Sequence, residues 1–210
     1  MKTKIVLMMA MLVMVSGGRL KATHYLFEDG DRFGSLILDN NDTLLMTGGI
    51  GEDLSLSGSS IATIENTSPL GSIPGDGGVW NISVSSTSIL NIYGGEINRI
   101  KTYWSGIVNM TGGEVVEVDL YSHNLFNLSG GQVGQLTITS VESWAILDGY
   151  GFDYTPGNPL TGYWHDDTAF SIDLIDDGIS TYGQIIFIPE PVSVLLLGIG
   201  GLVLRKRVNG

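Results

Sequence analysis

The stretch Asn91-Ile92-Tyr93-Gly94-Gly95-Glu96-Ile97 returns as Asn109-Met110-Thr111-Gly112-Gly113-Glu114-Val115. It returns once more as Asn127-Leu128-Ser129-Gly130-Gly131-Gln132-Val133, with an offset of 18 residues both times. A fixed period of this size marks a chain wound into stacked coils, and it outranks local strand assignments. Aligning the copies puts apolar residues in four columns. Leu90, Val108 and Phe126 form one, and Ile92, Met110 and Leu128 a second. Ile97, Val115 and Val133 form a third, and Ile100, Val118 and Leu136 a fourth. Members of the first two columns stand two residues apart, so they share one face of a strand and Asn91, Asn109 and Asn127 take the other. The pairs Gly94-Gly95, Gly112-Gly113 and Gly130-Gly131 are expected at corners where the backbone needs positive φ. Each coil then holds about four inward side chains, worth roughly 1.5–3 kcal/mol apiece on full burial.

Working outward, Gly77-Gly78 marks a degenerate copy, and Leu45-Met46-Thr47-Gly48-Gly49-Ile50 and Leu54-Ser55-Leu56-Ser57-Gly58 carry the theme less regularly. Downstream, Ile146-Leu147-Asp148-Gly149 fits with one residue of slippage. The expected fold is all-β, a short parallel β-helix of about 18-residue coils over residues 23–147. A left-handed hexapeptide helix is disfavoured, because Ile92, Asn98, Trp104 and Met110 show no constant apolar position. An antiparallel β-sandwich built from hairpins is the alternative. Residues 148–188 break the period and gather Phe152, Tyr154, Tyr163, Trp164 and Phe170, with Pro156 and Pro159 in the loops. Phe170-Ser171-Ile172-Asp173-Leu174 and Ile185-Ile186-Phe187-Ile188 read as strands, with Asp176-Asp177-Gly178 as the hairpin turn between them. A β-hairpin cap over the last coil is the economical reading, since a solenoid needs its terminal coil covered.

Both ends carry address-like segments. Met1-Lys2-Thr3-Lys4 precedes an apolar stretch from Ile5 to Val15, and Ser16-Gly17-Gly18 or Ala22 supplies small residues for cleavage. Residues 1–22 therefore read as a signal peptide. Residues 189–210 begin with Pro189-Glu190-Pro191, continue with the uncharged run Val192 to Leu204, and reach Arg205-Lys206-Arg207 before a short end. The prolines hold an extended backbone, the run can enter a bilayer as a single helix, and the cations favour its cytoplasmic side. Thirteen helical residues reach roughly 20 Å, short of a hydrocarbon core of about 30 Å, which suits a transient anchor.

This tripartite tail resembles the PEP-CTERM sorting signal of bacterial exported proteins. The resemblance implies a substrate of an exosortase, a membrane-embedded cysteine peptidase-like sorting enzyme, in Gram-negative bacteria that make extracellular polysaccharide. It implies export through the general secretion machinery, a transient inner-membrane anchor, and a final place at the cell surface, outer envelope or extracellular matrix. It also implies that the mature chain ends near Pro191. Leu160-Thr161-Gly162-Tyr163-Trp164-His165-Asp166 is similar to a stretch before the final strand pair in planctomycete-like surface proteins with this tail.

Composition narrows the rest. Residues 23–188 hold three cations, Arg32, Arg99 and Lys101, against 21 acidic residues. Such a surface repels phosphate backbones, which excludes a nucleic-acid partner. With no cysteine, neither disulfides nor thiolate metal sites hold the fold. No cofactor and no metal is expected. His24, His123 and His165, the only histidines, match no zinc or nucleophile-elbow motif. A glycoside hydrolase needs two facing carboxylates, and Glu96, Glu114, Glu117 and Asp119 are the candidates. Gln132 continues the Glu96–Glu114 column, which favours a solvated outer row over an acid–base pair. A lyase needs cations for the substrate carboxylate, and the repeats offer Arg99 and Lys101 alone.

Glu28-Asp29-Gly30-Asp31, Asp39-Asn40-Asn41-Asp42 and Asp166-Asp167 supply hard oxygen ligands, yet Asn40 stands where an EF-hand needs its bidentate glutamate. The function expected is therefore non-catalytic, structural or polysaccharide-binding. Tyr93, Tyr103, Trp104 and Tyr121 are candidate platforms for sugar rings. A small β-helical polysaccharide-degrading enzyme is the alternative.

Overall fold

The computed structural model describes residues 22–71 and 77–188. The signal peptide expected over residues 1–22, apart from Ala22, and the sorting tail expected from Pro189, with its apolar run and Arg205-Lys206-Arg207, lie outside them. Among the described residues no helix is long and apolar enough to cross a membrane.

The chain winds into a parallel β-solenoid of about seven turns. The first turn holds β1 (His24–Phe27) and β2 (Arg32–Leu38), the second β3 (Thr43–Met46) and β4 (Ile50–Leu56). The third holds β5 (Ile61–Ile64) and β6 (Val79–Ser85), the fourth β7 (Ile89–Ile92) and β8 (Glu96–Tyr103). In the next two turns both strands merge through the corner into single long strands, β9 (Ile107–Leu120) and β10 (Leu125–Ile138). β11 (Trp144–Asp148), β12 (Tyr150–Asp153), β13 (Leu160–Tyr163), β14 (Ala169–Asp176) and β15 (Ile185–Ile188) complete the described chain. All pairing between turns is parallel, which rules out the antiparallel sandwich.

Two sheets result. The first contains the strand before each glycine corner: β1, β3, β5, β7, the opening halves of β9 and β10, β11 and β15. The second contains the strand after it: β2, β4, β6, β8, the closing halves of β9 and β10, and the end of β14. The four anticipated columns are inward and in register, Leu90 with Val108 and Phe126, Ile100 with Val118 and Leu136. A fifth interior column, Leu56, Val84, Thr102, Leu120 and Ile138, adds a side chain per turn. Thr102 breaks its apolar pattern and donates its hydroxyl to the Asp119 carbonyl at 3.3 Å.

The opposite corner is lined inside by buried Ser60, Ser88, Asn124 and Ser143. Asn124 Oδ1 accepts from the Gly106 amide at 3.0 Å, and Ser143 Oγ accepts from the Asn124 amide at 3.2 Å. Ser88, Asn124 and Ser143 here satisfy amides that a sharp bend takes out of the ladder.

Only the second glycine of each pair has positive φ, 86° at Gly95 and 82° at Gly113 and Gly131. The first is glycine for another reason. A Cβ at Gly112 would collide with the Tyr93 carbonyl of the turn below, and the same holds at Gly94 against Glu65 and at Gly130 against Thr111. Backbone atoms cannot yield as a side-chain tip can. Gly112→Ala is therefore expected to cost about 1–3 kcal/mol, the range for overpacking a close contact. A urea midpoint unchanged from the parent would contradict this.

The cap differs from the expected hairpin. β14 and β15 do not pair with each other across Asp176-Asp177-Gly178. Gln135 to Ile138 of β10 pair with Asp173 to Asp176 in the second sheet, while β15 pairs with β11 in the first. Those three residues start one more turn corner, fastened by buried Thr181, whose hydroxyl donates to Ile175 O at 2.6 Å and accepts from the Ile138 amide at 3.0 Å. The antiparallel unit is instead β12–β13–β14, an excursion between β11 and the last turn. Leu160, Trp164, Phe170 and Ile172 bury its inner side against the core.

Candidate functional site

The outward side of the second sheet carries the charged residues that the repeat singles out. Alternation points Arg99 and Lys101 away from the core, in register with Glu117 and Asp119 of the next turn. Arg99 also reaches diagonally. Its Nε and Nη2 donate to Asp119 Oδ2 at 3.0 and 2.6 Å, and Nη2 lies 3.0 Å from Glu117 Oε1. The Asp119 side chain is only 5% exposed, against 32% for Arg99. A carboxylate that far from water is tolerable because a guanidinium bonds to it. The hydrogen bond to Asp119 raises the pKa of Arg99 against the opposing effect of burial.

Tyr103 and Tyr121 close one end of this cluster as a parallel stack, centroids 5.0 Å apart and planes 6° from parallel. Burial, then the Asp119 charge, raises the Tyr121 phenol above its ordinary value of 10.0. A raised folded-state value means that stability is intact below the unfolded-state pKa and is lost as pH climbs through the folded one. Ultraviolet difference titration is expected to show Tyr121→Phe removing a phenol that ionises above the ordinary tyrosine value. Loss of an early-ionising phenol instead would refute the buried environment. Trp104 stands beside the stack at φ 65° and is 70% exposed. Tyr93 also points to solvent, at the glycine corner, so three of the four proposed platforms gather at one place and the fourth does not.

The carboxylate candidates separate into two rows. Glu96, Glu114 and Gln132 are in register at the glycine corner. Glu96 Oε2 accepts from the Leu70 amide at 2.6 Å and Gln132 Nε2 donates to Ala169 O at 3.0 Å. Both ends of this row fasten excursions from the solenoid. Glu117 and Asp119 share Arg99. The histidines lie apart: His24 bonds Thr43, His123 pairs with Glu142 at 2.9 Å, and His165 pairs with Asp148 at 2.8 Å.

The acidic stretches serve turns. Asp31 accepts from the Glu28 amide, Asp42 from the amides of Thr23 and Asp39, and Asp39 from Asn40. Asp166 accepts from Thr168, which holds its carboxyl below the usual range, and Asp167 accepts from the Tyr150 hydroxyl. Among the described residues no group of three or more His, Cys, Asp or Glu is placed to hold a metal ion.

General acid–base chemistry needs a pKa brought near the working pH. The displaced groups here, Arg99, Tyr121 and Asp166, all move away from neutrality.

The outward side of the first sheet was only half legible. Asn109 Nδ2 donates to Asn91 Oδ1 at 2.9 Å and Asn127 Nδ2 to Asn109 Oδ1 at 2.8 Å, so the repeated asparagines form an amide ladder. Beside it runs a row that sequence reasoning missed: Ile61, Ile89, Ile107, Leu125 and Trp144, one per turn and in register. The signal was the pair of adjacent apolar residues in Ile89-Leu90, Ile107-Val108 and Leu125-Phe126, of which one must face out.

Comparison with protein-family models, curated proteins and solved structures finds no match for this chain.

Proposed function

We propose that this chain is an exported cell-surface or extracellular-matrix protein, handled by an exosortase-type sorting enzyme, with a non-catalytic structural or polysaccharide-binding role. The observation that carries the proposal is the tail: Pro189-Glu190-Pro191, an uncharged run too short for a permanent span, and Arg205-Lys206-Arg207. The solenoid supports it by presenting long regular outer rows, a form suited to contact with extended partners. Three of the four candidate carboxylates support the non-catalytic part, since Glu96, Glu117 and Asp119 already hold a structural hydrogen bond or ion pair. Polysaccharide contact falls to the Tyr103–Tyr121 stack and Trp104, whose planes suit the apolar faces of sugar rings.

A fluorescent fusion placed between the leader and residue 23 tests the sorting role. Deleting residues 189–210 is expected to release the fusion into the medium, while the full chain stays at the surface and is recovered by mass spectrometry without Val208-Asn209-Gly210. Equal retention of both forms overturns the sorting reading. Release of reducing sugar from any polysaccharide overturns the non-catalytic one and favours the small β-helical enzyme.

A further inference from the structure

We infer that the outward side of the first sheet is a self-association surface, packing face to face against the same sheet of a second copy. The contact goes beyond the sorting proposal and does not depend on how the tail is processed.

Charge placement is the first argument. Residues 23–188 carry 21 acidic side chains, yet the two outward rows of this eight-stranded sheet contain no Asp, Glu, Lys or Arg. The aliphatic row from Ile61 to Trp144 and the amide ladder beside it fill the middle turns. Leu26 and Leu45 extend the second row at one end, and Ile146 and Ile186 at the other. Leu26 is 56% exposed, Ile186 45% and Trp144 38%. Two such domains, each acidic overall, repel each other at long range, and these two rows bring no like charges into contact, although Asp148 at the end of β11 borders them.

Chemistry chooses the occupant. Sugar recognition relies on aromatic planes, and the two rows offer Trp144, with Tyr93 beside them at the glycine corner, whereas branched aliphatic rows interlock with one another as in stacked sheets about 10 Å apart. The amide ladder adds hydrogen-bonding groups that a copy of itself can match. An isologous contact of this kind closes at two copies and leaves no growing edge.

Area sets the strength. Eight strands about 4.8 Å apart and four residues of about 3.3 Å span roughly 34 Å by 13 Å, so two copies bury on the order of 900 Å² together. This is below the standard size of stable interfaces, and the dimer is accordingly weak, forming where the protein is concentrated. Screening by salt strengthens it, because the opposing force is long-range repulsion between acidic domains.

The full chain has no cysteine, so one introduced thiol reports one position. Asn109 lies mid-face, where any in-plane two-fold axis through the centre makes a residue its own neighbour; Ser83 lies outward on the second sheet. With a short bis-maleimide, Asn109→Cys is expected to give about tenfold more cross-linked dimer than Ser83→Cys, more in high salt than in low. Adding Ile107→Asp to Asn109→Cys is expected to abolish the dimer, with far-ultraviolet circular dichroism confirming the fold; Ile61→Asp serves if it does not fold. Equal cross-linking at both positions assigns association to the tail or to chance encounter and overturns the inference. No dimer from Asn109→Cys overturns it as well. So does a monomer that sediments with insoluble neutral glucan unless Ile107→Asp is present, which would give the face to a glycan.

Discussion

Phe126→Ala is expected to lower the free energy of unfolding by about 3–5 kcal/mol, the range for deleting a buried aromatic ring. Phe126 is fully buried in the column between Val108 and Ala145, with a large ring set against an alanine. Alanine at 126 would leave two short side chains facing each other across a 4.8 Å step that backbone hydrogen bonds hold open. The turns cannot close together to fill the gap, so the cavity cost is retained. Urea unfolding followed by circular dichroism measures the effect, and a loss under about 1 kcal/mol would mean that the interior is not close-packed. Phe126→Leu is expected to cost much less, because the volume change is smaller.

Trp164→Ala is the second large effect, again about 3–5 kcal/mol, and it reports on the cap. Trp164 is 2% exposed, stacks on Phe170 at 4.1 Å, and donates Nε1–H to the Gly131 carbonyl at 2.8 Å. One side chain thereby ties the β12–β13–β14 excursion to a repeat corner. Trp164→Phe separates the two contributions, since it keeps an aromatic surface and leaves Gly131 O without its donor, a change of about 1–3 kcal/mol. Limited proteolysis of Trp164→Ala is expected to cut first within residues 149–168. Initial cleavage elsewhere would show that the excursion is held by its other aromatic contacts.

The solenoid was readable because its signal is redundant. Gly112-Gly113 and its two relatives recur at one spacing, and each column repeats the same demand for an apolar side chain. The fifth column escaped because Thr102 stands in it, a polar residue made acceptable by a carbonyl partner that only the folded turn supplies. The hairpin expected at Asp176-Asp177-Gly178 failed for a related reason. A turn motif sets a local bend, and Asp176 does cap a turn by accepting from the Thr181 amide at 2.8 Å. Which strands flank the bend is decided by which sheet edges lie open, here β10 on one side and β11 on the other.

The candidate site divides in the same way. Arg99 and Asp119 are 20 residues apart, two more than the repeat, so no alignment of copies pairs them. Their ion pair forms because a long guanidinium can reach one pleat further along the neighbouring strand, where burial makes a carboxylate need it.

Taken alone, the order of residues determined the coil, its period, most of its interior and the chemical character of its two ends, since those depend on spacing along the chain. The tertiary structure alone decided which aliphatic rows stay in water, which carboxylates are engaged, and how the final turn borrows strands from either side of an excursion. Those outcomes depend on neighbours a full turn or more away in sequence, brought within a few ångströms by the stacking itself.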